Sequence, residues 1–357
     1  MPAVTDINST VLVTGANGFI GTWIVGHLLI GGYSVRAAVR NEGRGKHLLD
    51  IYKSYGDKLK LYAIGDISKE LWLKVYVTSD AFDEAVKDVH AIIHTASPVH
   101  LSADDPSEQI EPAVGSVEGI LKSALKNGSD SLKRIVITSS CAAIISFSAT
   151  QVTISEAVWN ESSIKECEEK GRNADNLAKY SASKTLAEKA AWTFYEKHKS
   201  EIKWDISIIN PPWVFGPVVH EVTTVDSLNP SNKFWYNAIV KEDFDGFSPL
   251  TTPGHGWIDV RDVATAHVRA MEVPSAGGER IIVSAGSWVW QDWRNRCHFK
   301  LSPNPCPSRT LPRGTPGICQ RAITFDTSKE KRILDIKFLT MEETARDILA
   351  DYERRGW

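Results

Sequence analysis

The sequence predicts an α/β protein built on a doubly wound parallel sheet. Three observations carry that expectation: an apolar run that breaks into spaced glycines and resumes as a helix at residues 11–21, the repeated alternation of β-branched runs with amphipathic segments after it, and a length of 357 residues that can bury a large core. That length suits one large α/β domain or two lobes. The 42% hydrophobic content and a formal net charge of -3 with mixed signs describe a globular chain without the basic footprint of a nucleic-acid binder. No window reaches the length of a membrane span, and MPAVTDINST lacks the charged-then-apolar build of a signal peptide, so a cytoplasmic protein with no membrane partner is expected. Cys141, Cys167, Cys297, Cys306 and Cys319, without CxxC spacing, read as reduced thiols, and no metal site is expected. The twelve tryptophans either line an aromatic cleft or fill core.

In chain order, Val11, Leu12 and Val13 suit a buried parallel strand. Gly15, Gly18 and Gly21 follow three apart, where backbone turns tightly and approaches a ligand without Cβ obstruction. Ile20, Trp23, Ile24, Leu28 and Leu29 then recur at helical spacing, so the free N–H groups at the helix start face a pyrophosphate, with Gly15, Asn17, Gly18, Phe19, Ile20 and Gly21 forming the cradle. Val35, Ala37 and Val39 form a second strand ending at Arg40. An NAD site places an acidic side chain there; this chain has Arg40, Asn41, Arg44 and Lys46, which favours the 2′-phosphate of NADPH, the alternative being that Arg40 and Arg44 are ordinary solvated residues. A third strand over 59–67 ends in Asp66, placed to bond the adenine amine, with Ile67 packing on the ring. Asp80 is expected to cap a helix over 81–89, and a fourth strand over 89–98 ends in His94, Thr95, Ala96 and Ser97, where open parallel sheets bind ligands. His94 itself reads as packed or cofactor-adjacent. A helix over 107–126 and the strand KRIVITSS repeat the alternation of a Rossmann-type sheet.

The strand ITSS and the later YSASK carry the chemistry. Tyr180 and Lys184 lie one helical turn apart, so phenol and ammonium share a helix face. Tyr195 and Lys199 repeat the spacing 15 residues on, about 22 Å along a continuous helix, and read as surface. A strand over 206–210 runs into a proline-stiffened turn. Residues 220–253, with Phe234, Trp235, Tyr236 and Phe247, are expected to form most of a substrate lobe. A helix opens at Asp259 with His267 as a satisfied helix histidine, residues 293–317 with their five prolines read as an irregular, mobile flap, and MEETARDILADYERRG forms a last amphipathic helix on the lobe.

TGANGFIG, the ITSS strand end, YSASK and NPPWVFGP together resemble the extended short-chain dehydrogenase/reductase family, with its NAD-dependent epimerase/dehydratase-type domain. HTASP, YSASKTLAEKAAW and IDVRDVATAH are most similar to its dihydroflavonol reductase, cinnamoyl-CoA reductase and fungal aldehyde-ketone reductase branch, over residues 9–286. The resemblance implies NADPH-dependent reduction of an aldehyde or ketone to an alcohol, with hydride from nicotinamide C4 and the proton from Tyr180. It implies that Lys184 activates Tyr180 and binds the nicotinamide ribose while Ser140 holds the carbonyl oxygen. Lysine and oxidised nicotinamide are expected to stabilise a phenolate whose free pKa lies near 10. Further cofactor contacts are implied at Thr95, Ala96, Ser97, Thr138, Pro211 and Val214, and substrate contacts at Pro98, Cys141, Phe215 and Trp235. On this reading residues 1–210, joined by 255–285, form the NADP-binding domain, and 211–254 with 286–357 form a smaller, mainly C-terminal substrate lobe. The partner is a small carbonyl compound, and the chain is a monomer or homodimer.

Two departures stand out. Gly115 occupies the place where many relatives carry a relay asparagine, and the apolar run over 71–78 has no counterpart in the family, which suggests a translated intron or similar gene-model feature. Two rival functions stay open: a nucleotide-sugar epimerase on the same scaffold, and an NADPH-binding sensor without turnover.

Overall fold

Val11, Leu12 and Val13 form the middle of β1 (Thr10–Thr14) and are fully buried, Val11 and Val13 against one helical layer and Leu12 against the other. That alternation is the pleat of a strand covered on both faces. The structure, a computed structural model, describes residues 3–65, 81–97, 103–145, 152–241, 256–299, 301, 305–313 and 323–357. Asp66, Ile67, Asp80, Pro98 and the run over 71–78 lie outside the described residues.

After β1 come α1 (Phe19–Ile30), β2 (Ser34–Val39), α2 (Glu42–Ile51), β3 (Leu59–Ala63), β4 (Ala91–His94), α3 (Ser107–Asn127), β5 (Arg134–Thr138), β6 (Val152–Ile154), α4 (Glu161–Lys170), α5 (Asn176–His198) and β7 (Asp205–Asn210). The second half adds β8 (Trp213–Phe215), α6 (Pro230–Tyr236), β9 (Gly256–Asp259), α7 (Val260–Glu272), β10 (Arg280–Ile282), β11 (Gly286–Ser287), α8 (Trp290–Phe299), β12 (Ile323–Phe325), α9 (Ser328–Ile333) and α10 (Met341–Arg355). Among the described residues, seven strands make one parallel sheet in the order β10-β7-β5-β4-β1-β2-β3. The order reverses at β1 and β4, which opens a crevice beyond their carboxyl ends. Helices α1 and α7 cover one face, with Ile24, Val25, Leu28, Val263 and Met271 on Val13, Val136 and Ile209. Helices α3 and α5 cover the other, with Ile120, Leu121, Ala187 and Ala191 on Leu12, Ile135 and Ile206.

A second core is built from the second half of the chain. Phe215, Trp235, Trp257, Trp288, Trp293 and Tyr352 pack together around a small sheet in the order β11-β9-β8. This core is joined to the first through β9, whose last residue, Asp259, caps α7 by accepting a hydrogen bond from the Arg261 N–H at 2.8 Å. Helix α10 closes the core from outside, opened by a reciprocal capping box between Thr340 and Glu343. At the end of α9 the chain returns to the first core, where Ile333 and Leu334 are buried with Val263 and Met271.

Two local expectations are corrected. The helix expected over 81–89 is a run of turns, with Asp88 at φ 57 ending it, although Phe82, Ala85, Val86 and Val89 are buried as the apolar spacing implied. Residues 293–299 are no mobile flap: they belong to α8, where Trp290, Trp293 and Cys297 recur at helical spacing and face the aromatic core. Its prolines begin only at Pro303, after the helix has ended, and Leu301, Cys306 and Leu311 beyond it are buried too. Truncating the fully buried Trp293 to alanine is expected to cost about 3–5 kcal/mol.

Candidate active site

The crevice is built from the ends of β1, β4, β5 and β7 and one face of α5. Gly15 sits at φ 65, and a Cβ there would lie 2.8 Å from Thr95 Oγ1 and 3.0 Å from the Ala96 nitrogen, so the turn after β1 touches the end of β4. At Gly21 a Cβ would lie 2.2 Å from the Gly15 carbonyl oxygen, which ties the helix start to the same turn. Gly18 is the N-cap of α1, no side chain caps the helix, and no acidic residue lies in its first turn. Its leading N–H groups therefore suit a phosphate. Asn17 Nδ2 donates to the Arg44 carbonyl oxygen at 3.3 Å, linking the cradle to α2, and Arg40 and Arg44 are exposed beyond β2. Phe19 packs against the His220 ring at 5.5 Å between centroids, while Ile20 is partly buried. The glycine turn, uncapped helix and two arginines thus fit a dinucleotide with a 2′-phosphate.

Thr14 and β4 meet through polar side chains. Thr95 Oγ1 donates to the Thr14 carbonyl oxygen at 2.7 Å, and the Ala96 N–H donates to Thr14 Oγ1 at 3.3 Å. Buried His94 contacts Thr14 Oγ1 at 2.8 Å and Ser116 Oγ at 3.3 Å, and burial pushes its imidazole down to about 3, so it is a neutral packing residue. Ser116, beside Gly115 on α3, also donates to the Ala96 carbonyl oxygen at 3.0 Å. His267 is likewise satisfied, between Thr138 Oγ1 and the Val263 carbonyl oxygen, both at 2.7 Å.

Helix α5 runs unbroken for 23 residues from its cap, Asp175, and brings Tyr180 and Lys184 to the crevice. The Tyr180 hydroxyl lies beside Ser140, whose side chain favours the phenolate. Ser140 Oγ also accepts from the Ala142 N–H at 3.1 Å. Lys184 Nζ donates to Ser97 Oγ at 2.9 Å and lies 5.6 Å from the Tyr180 ring centroid. Burial pushes the Lys184 ammonium down to about 8. Burial also raises Tyr180 above its ordinary value, against the opposing effect of Ser140. Desolvation, which disfavours the charged form, is the largest of these effects in the free protein. A protonated phenol beside a serine hydroxyl is the state that can donate a proton.

The turn after β7 lies against this group. The Pro211 carbonyl oxygen accepts from the Cys141 N–H at 2.9 Å, and buried Val214 lends its carbonyl oxygen to Ser231 Oγ at 2.6 Å. Cys141, Phe215 and Trp235 differ from the substrate-facing placement expected of them. They are 1%, 0% and 0% exposed, the first in an isoleucine cluster and the others in the aromatic core. The side chains nearer the surface are Trp213, stacked on Phe215, and Phe234, edge-on to Trp213 at 5.5 Å and 40% exposed.

Sequence reading missed a polar network behind the serines. Glu188 accepts from Ser139 Oγ, Asn210 Nδ2 and Arg280 Nε. Its place eight residues after Tyr180, on the same helix face, was the only local signal. Lys179 was missed as well; it is buried and donates to the carbonyl oxygens of Ala103, Asp104 and Arg172 at 3.0, 2.8 and 2.9 Å. Among the described residues no acidic, histidine and cysteine cluster suits a metal, and no helix is long and apolar enough to cross a membrane.

Comparison with known proteins agrees with this fold. The model of the NAD dependent epimerase/dehydratase family matches residues 11–286. The chain is 33% identical over 353 residues to the ketoreductase azaE of Aspergillus niger, covering 94% of this chain and 95% of that protein. It is 33% identical over 350 residues to the NADPH-dependent methylglyoxal reductase GRE2 of Saccharomyces cerevisiae, covering 95% and 96% of the two chains. The crystal structure of yeast methylglyoxal/isovaleraldehyde reductase Gre2 complexed with NADPH superposes with a TM-score of 0.81 at 31% identity, covering 97% of this chain and 99% of that one.

Proposed function

On the premise that the chain belongs to the NAD dependent epimerase/dehydratase family, within the extended short-chain dehydrogenases/reductases, and is an NADP-dependent oxidoreductase, we propose that it reduces a small aldehyde or ketone at the Ser140–Tyr180–Lys184 group. The observation that carries this reading is the placement of the Tyr180 phenol beside Ser140, with buried Lys184 5.6 Å from its ring, at the carboxyl end of the sheet. Bound NADPH supplies the hydride. Tyr180 gives its proton to the carbonyl oxygen, and Ser140 donates a hydrogen bond to that oxygen as charge develops. Lys184, cationic below about pH 8 in the free protein, holds positive charge near the phenol and is placed to bind the nicotinamide ribose. The cradle of Gly15, Asn17, Gly18, Phe19, Ile20 and Gly21 takes the pyrophosphate, Arg40 and Arg44 take the 2′-phosphate, and the turn at Pro211 and Val214 takes the nicotinamide. Thr95, Ala96 and Ser97 line the wall between them; Thr138 contributes backbone there, since its hydroxyl is engaged by His267. Trp213 and Phe234, rather than the buried Phe215 and Trp235, edge the carbonyl pocket.

Loss of NADPH absorbance with small aldehydes, α-diketones, dihydroflavonols and cinnamoyl thioesters tests the reading. Turnover of at least one class is expected. Tight NADPH binding with no turnover on any member would replace it with the sensor.

A further inference from the structure

Helix α5 presents Tyr180, Lys184 and Glu188 at successive turns of one face. The Glu188 side chain is 0% exposed, and three donors from three strand ends converge on it. Ser139 Oγ, after β5, donates at 2.6 Å; Asn210 Nδ2, at the end of β7, donates at 2.8 Å; Arg280 Nε, at the start of β10, donates at 2.5 Å. Asn210 Nδ2 is also 3.2 Å from the Ser140 carbonyl oxygen. Arg280 is fixed in turn, donating to the Glu156 carbonyl oxygen at 2.6 Å and lying 3.5 Å over the Trp159 ring. On either side of Ser140, the Ser139 N–H donates to Ile209 at 2.8 Å and the Cys141 N–H to Pro211 at 2.9 Å. These bonds tie the serine segment to β7 but leave its distance from α5 undetermined. Glu188 supplies that link. A buried ion pair is weak evidence of stability, since apolar residues of the same volume often serve as well. Its placement is what distinguishes this one.

We propose that Glu188 is a positioning residue that sets the separation of the Ser140 and Tyr180 hydroxyls by anchoring the ends of β5 and β7 to α5; this rests on the carbonyl-reductase reading. Its partners are all donors, so it has to accept at both oxygens. Glu188→Gln keeps the volume but turns an amide NH2 toward one of those donors, which shifts the Ser139–Ser140 segment.

The test is a double-mutant cycle between Glu188→Gln and Ser140→Ala, with kcat measured at saturating NADPH and cofactor affinity measured by fluorescence titration. Glu188→Gln is expected to lower kcat about 10- to 100-fold with NADPH affinity changed less than about threefold, and to cost less than about threefold once Ser140 is already alanine. Equal losses in both backgrounds, or a loss carried by cofactor affinity, would mean a merely structural residue and overturn the proposal. If Glu188→Gln does not fold, Ser139→Ala, which leaves the Arg280 pair intact, is judged by the same cycle. A wild-type protein without turnover on any carbonyl would overturn the reductase reading and this role with it, whereas turnover with additive losses would overturn this role alone.

Discussion

Tyr180 with Lys184, near the start of α5, and Tyr195 with Lys199, at its end, share the same four-residue spacing in opposite surroundings. Lys184 is buried and donates to Ser97; the Lys199 side chain is 54% exposed and pairs with Glu196 at 2.5 Å. Burial pushes the Lys184 ammonium down to about 8, while the hydrogen bond that Lys199 donates to Glu196 raises Lys199 above its ordinary value. Tyr180 meets Ser140 from β5, whereas Tyr195 has the edge of Trp192. The spacing supplies a phenol and an amine on one helix face. The strand ends packed against that face decide whether they form a reactive site.

The two lysines separate these surroundings most sharply. Lys184→Met is expected to lower turnover about 100- to 1,000-fold, and Lys199→Met to leave it within about twofold. Stability of the ligand-free protein should move the other way. Because the folded value of Lys184, about 8, lies below its ordinary 10.5, the fold carries the cost of a buried ammonium below pH 8, and that cost fades as pH rises through 8 toward 10.5. Lys184→Met should therefore stabilise the protein at pH 7 by on the order of 2 kcal/mol in denaturant melts, with the gain shrinking above pH 8. A gain independent of pH would contradict this account of the lysine. Ser140→Ala comes next, with a kcat loss of about 100-fold for removal of one donor to the developing oxyanion. Arg40→Ala is expected to weaken NADPH about tenfold and leave NADH unchanged, with the difference shrinking at high salt. Equal effects on both cofactors would remove Arg40 from the 2′-phosphate site.

What was legible in the sequence is what rests on neighbours in the chain. Val11 to Val13 announce a buried strand by composition, Asp259 announces a helix start by its capping chemistry, and Tyr180 with Lys184 share a face because any helix puts them there. Partners distant in sequence left no such signal. Arg134 makes a bidentate pair with Asp205 at 2.6 and 2.9 Å and also binds the carbonyl oxygens of Ala270 and Pro274, at separations from 71 to 140 residues. Glu188 finds Arg280 across 92 residues. The tryptophans show the same limit: Trp235, Trp257, Trp288 and Trp293 fill a core to which β8, α6, β9, α8 and α10 all contribute, and no local pattern separates such residues from the lining of a cleft. Proline content misled at 293–299 because the helix ends before the prolines start.

The central claim is that the first of the two tyrosines is the proton donor. Its most direct measurement is single-turnover oxidation of NADPH with whichever carbonyl the wild-type protein turns over, run side by side for Tyr180→Phe and Tyr195→Phe. A loss of about 1,000-fold is expected for Tyr180→Phe with cofactor binding retained, and wild-type rates within about twofold for Tyr195→Phe. A Tyr180→Phe protein that reduces the carbonyl at the wild-type rate would contradict the proton-donor role.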